Sequence, residues 1–413
     1  MKIGIGANGR RRSARQGTWR EVSHLEVPSC ASSRLRYTSG FQPKRKVGES
    51  MSKKLVIVGG GYGGIRLARE LDEVMDVTLV EQRDQFVHNI ALMRAVVDPS
   101  WLGRILLPYD RLLRRGQVVR DTAVGVRSGA VSLRDGGELV ADQIVLAIGS
   151  TYPTPFKGGD SAAALVAGVH DAHARLRTAR SVAIIGGGPV GIELAGEIIT
   201  AFPDKSVTLI AGSDRLLPDY GDRLGRSLER QMTQMGIHVL LGKRALDLIA
   251  HAAPFGPASV KLDDQSDLDA DLVFPVMGAS PATHFLAESK VHLDRHRIVV
   301  DSNLSVAGLP GVWSLGDAAG TGEAMTVAAL ERQVPYLLKR LRAIAKETAP
   351  PRSAYKGWKQ PPIIVPLGRD KGASLLPLGI VAGPRITSLI KGRHLFAERA
   401  VRSLGLADRD GKA

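Results

Sequence analysis

The sequence predicts an α/β protein with two doubly wound parallel sheets and a small C-terminal region. Two glycine-rich turns carry this prediction, Leu55-Val-Ile-Val-Gly-Gly-Gly-Tyr-Gly-Gly64 and Ser181-Val-Ala-Ile-Ile-Gly-Gly-Gly-Pro-Val-Gly191. Each joins a short apolar strand-like run to a helix-like run. A similar order of strand, helix and strand follows in both places, the pattern of a parallel sheet. With 413 residues, 44% of them hydrophobic, the chain has room for two or three domains.

In order, the first module reads as strand Leu55–Val58, helix 63–73 and strand Val77–Val80, then a β-rich stretch with runs at Val118–Val126, Ala130–Arg134 and Gln143–Ile148. The second reads as strand Val182–Ile185, helix Val190–Ala201 and strand Val207–Ile210. A helix near 221–235 and strands near His238–Leu241 and Leu272–Met277 complete it. A further strand-like run, Val312–Leu315, leads to a helix over 324–346. Pro350-Pro351 and Pro361-Pro362 then punctuate the chain before a basic C-terminal region over 347–413.

The formal charge of +15 sits at the ends, with net +8 in residues 1–50 and again in 351–413. Residues 1–50 lack hydrophobic periodicity and are predicted to be disordered. They have the basic bias of a transit peptide but no amphipathic helix. Met51-Ser-Lys-Lys directly precedes the first strand and is read as the true start. Gly48-Glu49 would be encoded by a sequence resembling a ribosome-binding site. The one cysteine, Cys30, lies in this extension. A redox-active cysteine pair within the chain is thereby excluded, and with it disulfide reductase and sulfide:quinone reductase chemistry. No run is long and apolar enough to read as a membrane span.

Each turn carries G-x-G-x-x-G, through Gly59, Gly61 and Gly64 and through Gly186, Gly188 and Gly191. The first glycine allows the bend, the second a close approach of backbone to pyrophosphate, and the third tight packing of the helix whose N-terminus faces the phosphates. Two such turns in context imply two bound dinucleotides with electron transfer between them. The residue ending the second strand discriminates the sugar. Glu81 stands there in the first module and is expected to accept hydrogen bonds from an adenosine ribose. Ala211 stands there in the second, where no carboxylate repels a 2′-phosphate. Ser213 and Arg215 just beyond are candidates to bind one, so NADPH is expected to be tolerated alongside NADH.

Further segments resemble a known family. Gly311-Val-Trp-Ser-Leu-Gly-Asp317 resembles the strand-Gly-Asp element of flavoprotein reductases. Leu146-Ala-Ile-Gly-Ser150 resembles their Ala-Thr-Gly stretch with Ile148 in place of threonine, and Val273-Phe-Pro-Val-Met-Gly278 looks like its partner in the nucleotide domain. In order with both glycine turns, these identify the chain as similar to the pyridine-nucleotide/FAD two-dinucleotide reductases over roughly residues 53–346. The resemblance is closest to the ferroptosis suppressor (apoptosis-inducing-factor-like) branch, related to type II NADH dehydrogenases. It rests on Asp84-Gln-Phe-Val-His-Asn-Ile-Ala-Leu-Met-Arg-Ala95, Pro366-Leu-Gly-Arg-Asp-Lys-Gly372 and Ile390-Lys-Gly-Arg-His-Leu-Phe396.

The resemblance implies two Rossmann-like domains, an FAD domain split into 51–157 and 283–346, an NAD(P)H domain inserted at 158–282, and a C-terminal interface or membrane-facing region. It implies FAD at Gly59, Gly61, Gly63, Gly64, Glu81, Arg83, His88, Asn89, Val124, Ala147, Gly149, Gly316, Asp317, Met325 and Thr326. NAD(P)H is expected at Gly186, Gly188, Val190, Gly191, Glu193, Ser213, Arg215 and Gly278. Glu193 matches the family's glutamate near the nicotinamide, against the simpler reading of a helix N-terminal acid. Lys157 is a candidate to approach the flavin or nicotinamide, and Glu331 and Gln333 fall near the glutamines that type II enzymes use for quinone. No metal is expected.

The implied activity is NAD(P)H oxidation with quinone reduction at a membrane surface, in a cytoplasmic and peripherally bound protein with a possible homodimer. Neither Met1-Lys2 nor Met51-Ser52 offers the myristoylated glycine of the animal members. The C-terminal mix of Leu375, Leu376, Ile380, Val381, Ile386, Leu389, Ile390, Leu395 and Phe396 with Arg385, Lys391, Arg393, Arg399 and Arg402 suits anionic lipid. It suits packing against the flavin domain almost as well. The alternatives are a ferredoxin- or rubredoxin-type reductase, which the basic ends would suit, and a flavin-binding signalling protein. No dedicated nucleic-acid-binding motif is found, and no nucleic-acid partner is expected.

Overall fold

The computed structural model describes residues 52–406, apart from 160, 247 and 249–252. The expectations for residues 1–50 lie outside them. The first sheet contains β1 (Lys54–Val58), β2 (Asp76–Val80), β3 (Gln117–Val119) and β4 (Gln143–Leu146). Its spatial order is Val312–Ser314, β4, β1, β2, β3, with every pair parallel. Leu55 to Val58 are all buried, the continuous apolar run of a strand covered on both faces. Val58 pairs with both Val80 and Leu146, so these strands end together at one edge. Helix α1 (Tyr62–Leu71) leaves that edge and buries Ile65, Leu67, Ala68 and Leu71. Val312–Ser314 returns to pair with β4 only after the second sheet has been completed.

The second sheet contains β5 (Ser181–Ile185), β6 (Ser206–Ala211), β7 (Ile237–Leu241) and β8 (Leu272–Pro275), in the order β7-β6-β5-β8 and all parallel. Between β5 and β6 runs α2 (Pro189–Ala201), buried over nearly its whole length, Glu193 and Glu197 included. The sheets repeat one another as the glycine turns predict.

Three elements differ from the sequence reading. The expected strand over 118–126 is two strands. β3 closes the first sheet, Thr122 then donates its amide to the Asp121 carboxylate in a tight polar turn, and Ala123–Arg127 enters a separate antiparallel sheet. The helix Ala162–Thr178 was not anticipated, although Leu165, Val169, Ala172 and Leu176 are its buried stripe at helical spacing. The C-terminal region is a three-stranded antiparallel sheet of Ile363–Leu367, Lys371–Leu375 and Val381–Ala382.

That sheet packs on α2 of the second module. A Cβ on Gly196 would lie 2.5 Å from the Leu367 Cα, so the strand rests on bare helix backbone. Gln231, from the helix Asp222–Gln234, holds both the N–H and the C=O of Gly372, at 2.9 and 3.1 Å. Among the described residues no helix is long and apolar enough to cross a membrane.

Candidate functional site

The two turns are built alike. Gly59 has φ +104°, and a Cβ there would fall 2.5 Å from the Ala147 carbonyl oxygen; Gly186 has φ +131°, and a Cβ there would fall 2.3 Å from that of Val276. A Cβ on Gly64 would sit 1.8 Å from the Gly59 oxygen and one on Gly191 2.0 Å from the Gly186 oxygen, so the third glycine lets each helix close onto its own turn. At Gly61 and Gly188 a Cβ would meet no protein atom within 4 Å. Those residues are the N-caps of α1 and α2. Neither helix has a side-chain cap or an acidic residue in its first turn, which leaves both positive N-termini open to an anion. Val190 is in the first turn of α2, and Gly63 packs its α-carbon against Leu315.

At the end of β2, the buried Glu81 carboxylate accepts from the Gly60 amide at 2.7 Å and from the Arg83 amide, Nε and Nη2 at 3.0, 2.9 and 3.1 Å. Burial pushes this carboxyl up, but the charge and hydrogen bonds of Arg83 and the Gly60 amide outweigh it and hold the pKa below the ordinary range. A hydroxyl approaching Glu81 would compete with Arg83 for it. Tyr109 donates to the Gly60 carbonyl at 2.9 Å. Arg83 and Tyr109 also border a cleft of about 330 Å³ with Leu113, Val118 and Arg120. Val124 is exposed on the neighbouring antiparallel sheet.

Across the sheet edge, Asp317 follows Val312–Ser314. Its carboxylate accepts from Ser150 Oγ and lies 3.3 Å from Lys157 Nζ. Lys157 thus stands beside the Gly-Asp element. Ala147 and Gly149 (φ +66°) lead from β4 to this point. Helix Val327–Ala345 begins here with Thr326 as N-cap, and Met325 is half-buried before it. Thr326 Oγ1 is buried and finds no hydrogen-bond partner among the described residues, and the helix has neither a side-chain cap nor an acid in its first turn. A buried orphan hydroxyl beside an open helix N-terminus fits a polar ring edge, as FAD would supply.

Glu331 and Gln333 both have partners within the protein. Glu331 pairs with Arg66 at 3.2 Å and Arg399 at 2.6 Å, linking three helices. Gln333 is 1% exposed; its Oε1 accepts from the Gly316 amide at 2.6 Å and its Nε2 donates to Glu323 at 2.9 Å. The glutamine fixes the Gly-Asp element from behind.

In the second module, Ala211 lies against the turn: a Cβ on Gly187 would lie 2.6 Å from the Ala211 Cβ, as one on Gly60 would lie 3.1 Å from the Glu81 Cγ. Arg215, however, is held by Asp222 at 2.7 Å, and Ser213 Oγ lies 3.4 Å from Asp214. Gly278 (φ +112°) donates its amide to Tyr152 at 3.0 Å.

The C-terminal block closes over both modules. Lys391 Nζ lies 2.6 Å from the buried Glu193 carboxylate. Burial, together with the neighbouring Glu197, pushes the Glu193 pKa up, and the Lys391 charge opposes this. Arg94 makes a two-pronged pair with Glu197, at 2.7 Å from Nη2 and 3.0 Å from Nε, and donates to the carbonyls of Gly392 and Arg393. Asn89 accepts from the Gly158 amide at 3.1 Å. His88 is 1% exposed; its Nε2 faces the Leu395 carbonyl at 2.7 Å, and its Nδ1 faces the Tyr62 hydroxyl at 3.0 Å. Nε2 must carry the proton, so Nδ1 accepts from Tyr62. Burial, opposed by the Leu395 carbonyl and assisted by the Lys391 charge, pushes the His88 pKa down to about 4. His88 is a structural, neutral histidine at neutral pH. Lys391 and Arg94 were not singled out as site residues in the sequence.

The sequence profile of the family described as "Pyridine nucleotide-disulphide oxidoreductase" matches residues 53–332. The chain belongs to this family. It is accordingly an oxidoreductase that takes FAD and a nicotinamide nucleotide. Apoptosis-inducing factor homolog B of Dictyostelium discoideum is 27% identical over 86% of this chain and 97% of its own length. Ferroptosis suppressor protein 1 of Homo sapiens is 28% identical over the same two shares, 86% and 97%. The structure of NDH2 from Plasmodium falciparum in complex with NADH superposes with a TM-score of 0.66 at 15% identity, over 87% of this chain and 96% of that one, which shows a shared fold.

Proposed function

We propose that the protein is an NAD(P)H:quinone oxidoreductase, working as a peripheral membrane enzyme. The observation that carries this is the C-terminal block. It supplies Lys391 to Glu193 from the inside and presents Leu378, Ile380, Ile386, Leu389 and Ile390 exposed on the outside, with Arg385 among them. An apolar, arginine-bearing face against the hydride site suits a lipid-soluble oxidant and an anionic bilayer. With one cysteine in 413 residues, the electrons have no internal dithiol to reach and leave for an external acceptor.

In this reading the inserted segment, near residues 158–282, binds NAD(P)H, and the flanking segments bind FAD. FAD, when bound, would supply the two-electron chemistry between the nicotinamide and the quinone. The chain's residues do the rest. The open N-termini of α1 and α2 would hold the two pyrophosphates, and the uncapped N-terminus of the helix starting at Val327 would be available to the ring. Lys391 keeps Glu193 in one orientation beside the nicotinamide and excludes water from it. The quinone takes up two protons with its two electrons; solvent supplies those that the hydride does not carry.

Steady-state turnover of NADH with a short-chain ubiquinone, set against ferredoxin, tests the reading. Quinone turnover is expected to dominate. Good ferredoxin turnover without quinone turnover would replace it with a ferredoxin-type reductase. Lys391→Met should slow bleaching of the flavin by NADH at least tenfold, with the flavin content unchanged.

A further inference from the structure

We propose that Arg244 is the 2′-phosphate clamp of the nucleotide site and that the protein prefers NADPH to NADH; this rests on the reading that the second glycine turn holds the nicotinamide dinucleotide. The ribose nearest the adenine must lie over the end of β6, because Ala211 touches the turn at Gly187 as Glu81 touches Gly60 in the first module. What lies next to Ala211 then decides what a 2′ substituent meets.

The next residue is Gly212, and Arg244 lies across it. A Cβ on Gly212 would be 3.0 Å from Arg244 Cγ and 3.3 Å from Nε. The loop carrying the arginine is tied to the strand end. The amides of Gly242 and Lys243 donate to the carbonyls of Ser213 and Ala211 at 2.8 and 3.1 Å. The Arg244 backbone is fixed at both ends by one residue, its amide donating to Asp263 Oδ1 at 3.0 Å and its carbonyl accepting from the Asp263 amide at 2.9 Å. The loop is thus anchored before any ligand arrives, which lowers the entropic cost of binding.

The neighbouring cations are committed elsewhere. Arg215 is paired with Asp222 and lies 3.9 Å from Asp214, and Lys243 is paired with Asp264. Among the described residues no carboxylate forms an ion pair with the Arg244 guanidinium. It is the cation beside Ala211 whose charge a phosphate dianion can take up without first breaking a pair, and guanidinium matches phosphate in a two-pronged contact.

The test uses the full-length, FAD-loaded protein and calorimetric titration with adenosine 2′,5′-bisphosphate and with 5′-AMP. The bisphosphate is expected to bind at least tenfold more tightly. Arg244→Gln should abolish that ratio while 5′-AMP binding stays within twofold, Arg244→Lys should retain part of it, and Arg215→Ala should leave it intact. Equal binding of the two nucleotides by the unaltered protein, an Arg244→Gln variant that keeps the ratio, or an Arg215→Ala variant that loses it would each overturn the assignment. Failure of both nucleotides to bind would instead remove the nucleotide reading of this turn. None of these outcomes depends on the electron acceptor, so a failure of the quinone reading leaves them unaffected.

Discussion

Lowering the pH from 7 to 5 should destabilise the protein through His88 alone by about 2 kcal/mol. The imidazole bridges Tyr62, at the start of α1, to the Leu395 carbonyl of the C-terminal block, and burial pushes its pKa from 6.5 to about 4. The fold therefore favours the neutral ring. Its contribution is complete above pH 6.5 and declines as the pH falls from 6.5 towards 4. The full difference is about 3 kcal/mol at 1.36 kcal/mol per pH unit, and roughly two thirds of it is gone at pH 5, where the unfolded histidine is almost wholly protonated. Other groups titrate in the same range, so the measurement is a difference. Urea unfolding of the unaltered protein and of His88→Gln is compared at pH 7 and at pH 5. The variant loses stability at pH 7 but should lack about 2 kcal/mol of the fall between the two pH values. Parallel pH dependences for the two proteins, within about 0.5 kcal/mol, would refute the reasoning, because a histidine free to protonate in the fold contributes no such slope.

Other perturbations follow from the geometry. Arg94→Met strands the buried Glu197 carboxylate and should cost about 3–5 kcal/mol by denaturant titration, whereas Arg94→Met with Glu197→Leu should recover most of it. Gly64→Ala forces a Cβ to within 1.8 Å of the Gly59 oxygen, so the purified variant should lose its bound flavin, read from the visible spectrum, while Gly61→Ala, where nothing lies within 4 Å, should fold and bind flavin more weakly. Leu378→Glu with Leu389→Glu, both at exposed positions, should abolish sedimentation with anionic vesicles without changing turnover of a water-soluble quinone; sedimentation equal to the parent would remove the membrane face.

Local pattern carried the architecture into the sequence, and distance kept much of the site out of it. β1 and β5 are buried on both faces, so they read as plain apolar runs, and the glycines after them were legible as a spaced set between strand and helix, Gly64 and Gly191 answering to the Gly59 and Gly186 oxygens five residues before. The Lys391–Glu193 pair joins residues 198 positions apart, and no spacing announces it. Sequence neighbourhood pointed to Arg215 for a 2′-phosphate because it closely follows β6, but Asp222, seven residues further on, already holds it. Gln333 had the residue type of a substrate ligand, and only its burial and its bond to the Gly316 amide reveal a support. The antiparallel C-terminal sheet was obscured by glycines and prolines that sit inside its strands, such as Pro366 and Gly372, or in its turns, such as Gly368 and Gly379, rather than breaking it.

The C-terminal block carries the partners of three buried groups that lie far earlier in the chain. Leu395 accepts from His88, Lys391 pairs with Glu193, and Gly392 and Arg393 take the far side of Arg94, whose near side holds Glu197. A nascent or truncated polypeptide ending before Ser388 would contain both parallel sheets and both glycine turns, yet leave those groups without these partners between its modules. A chain shortened there would bury unpaired polar groups and should be cleaved more readily by protease than the longer one. Seating the C-terminal block thus satisfies charges and donors that the two parallel sheets, folded without it, would leave unpaired.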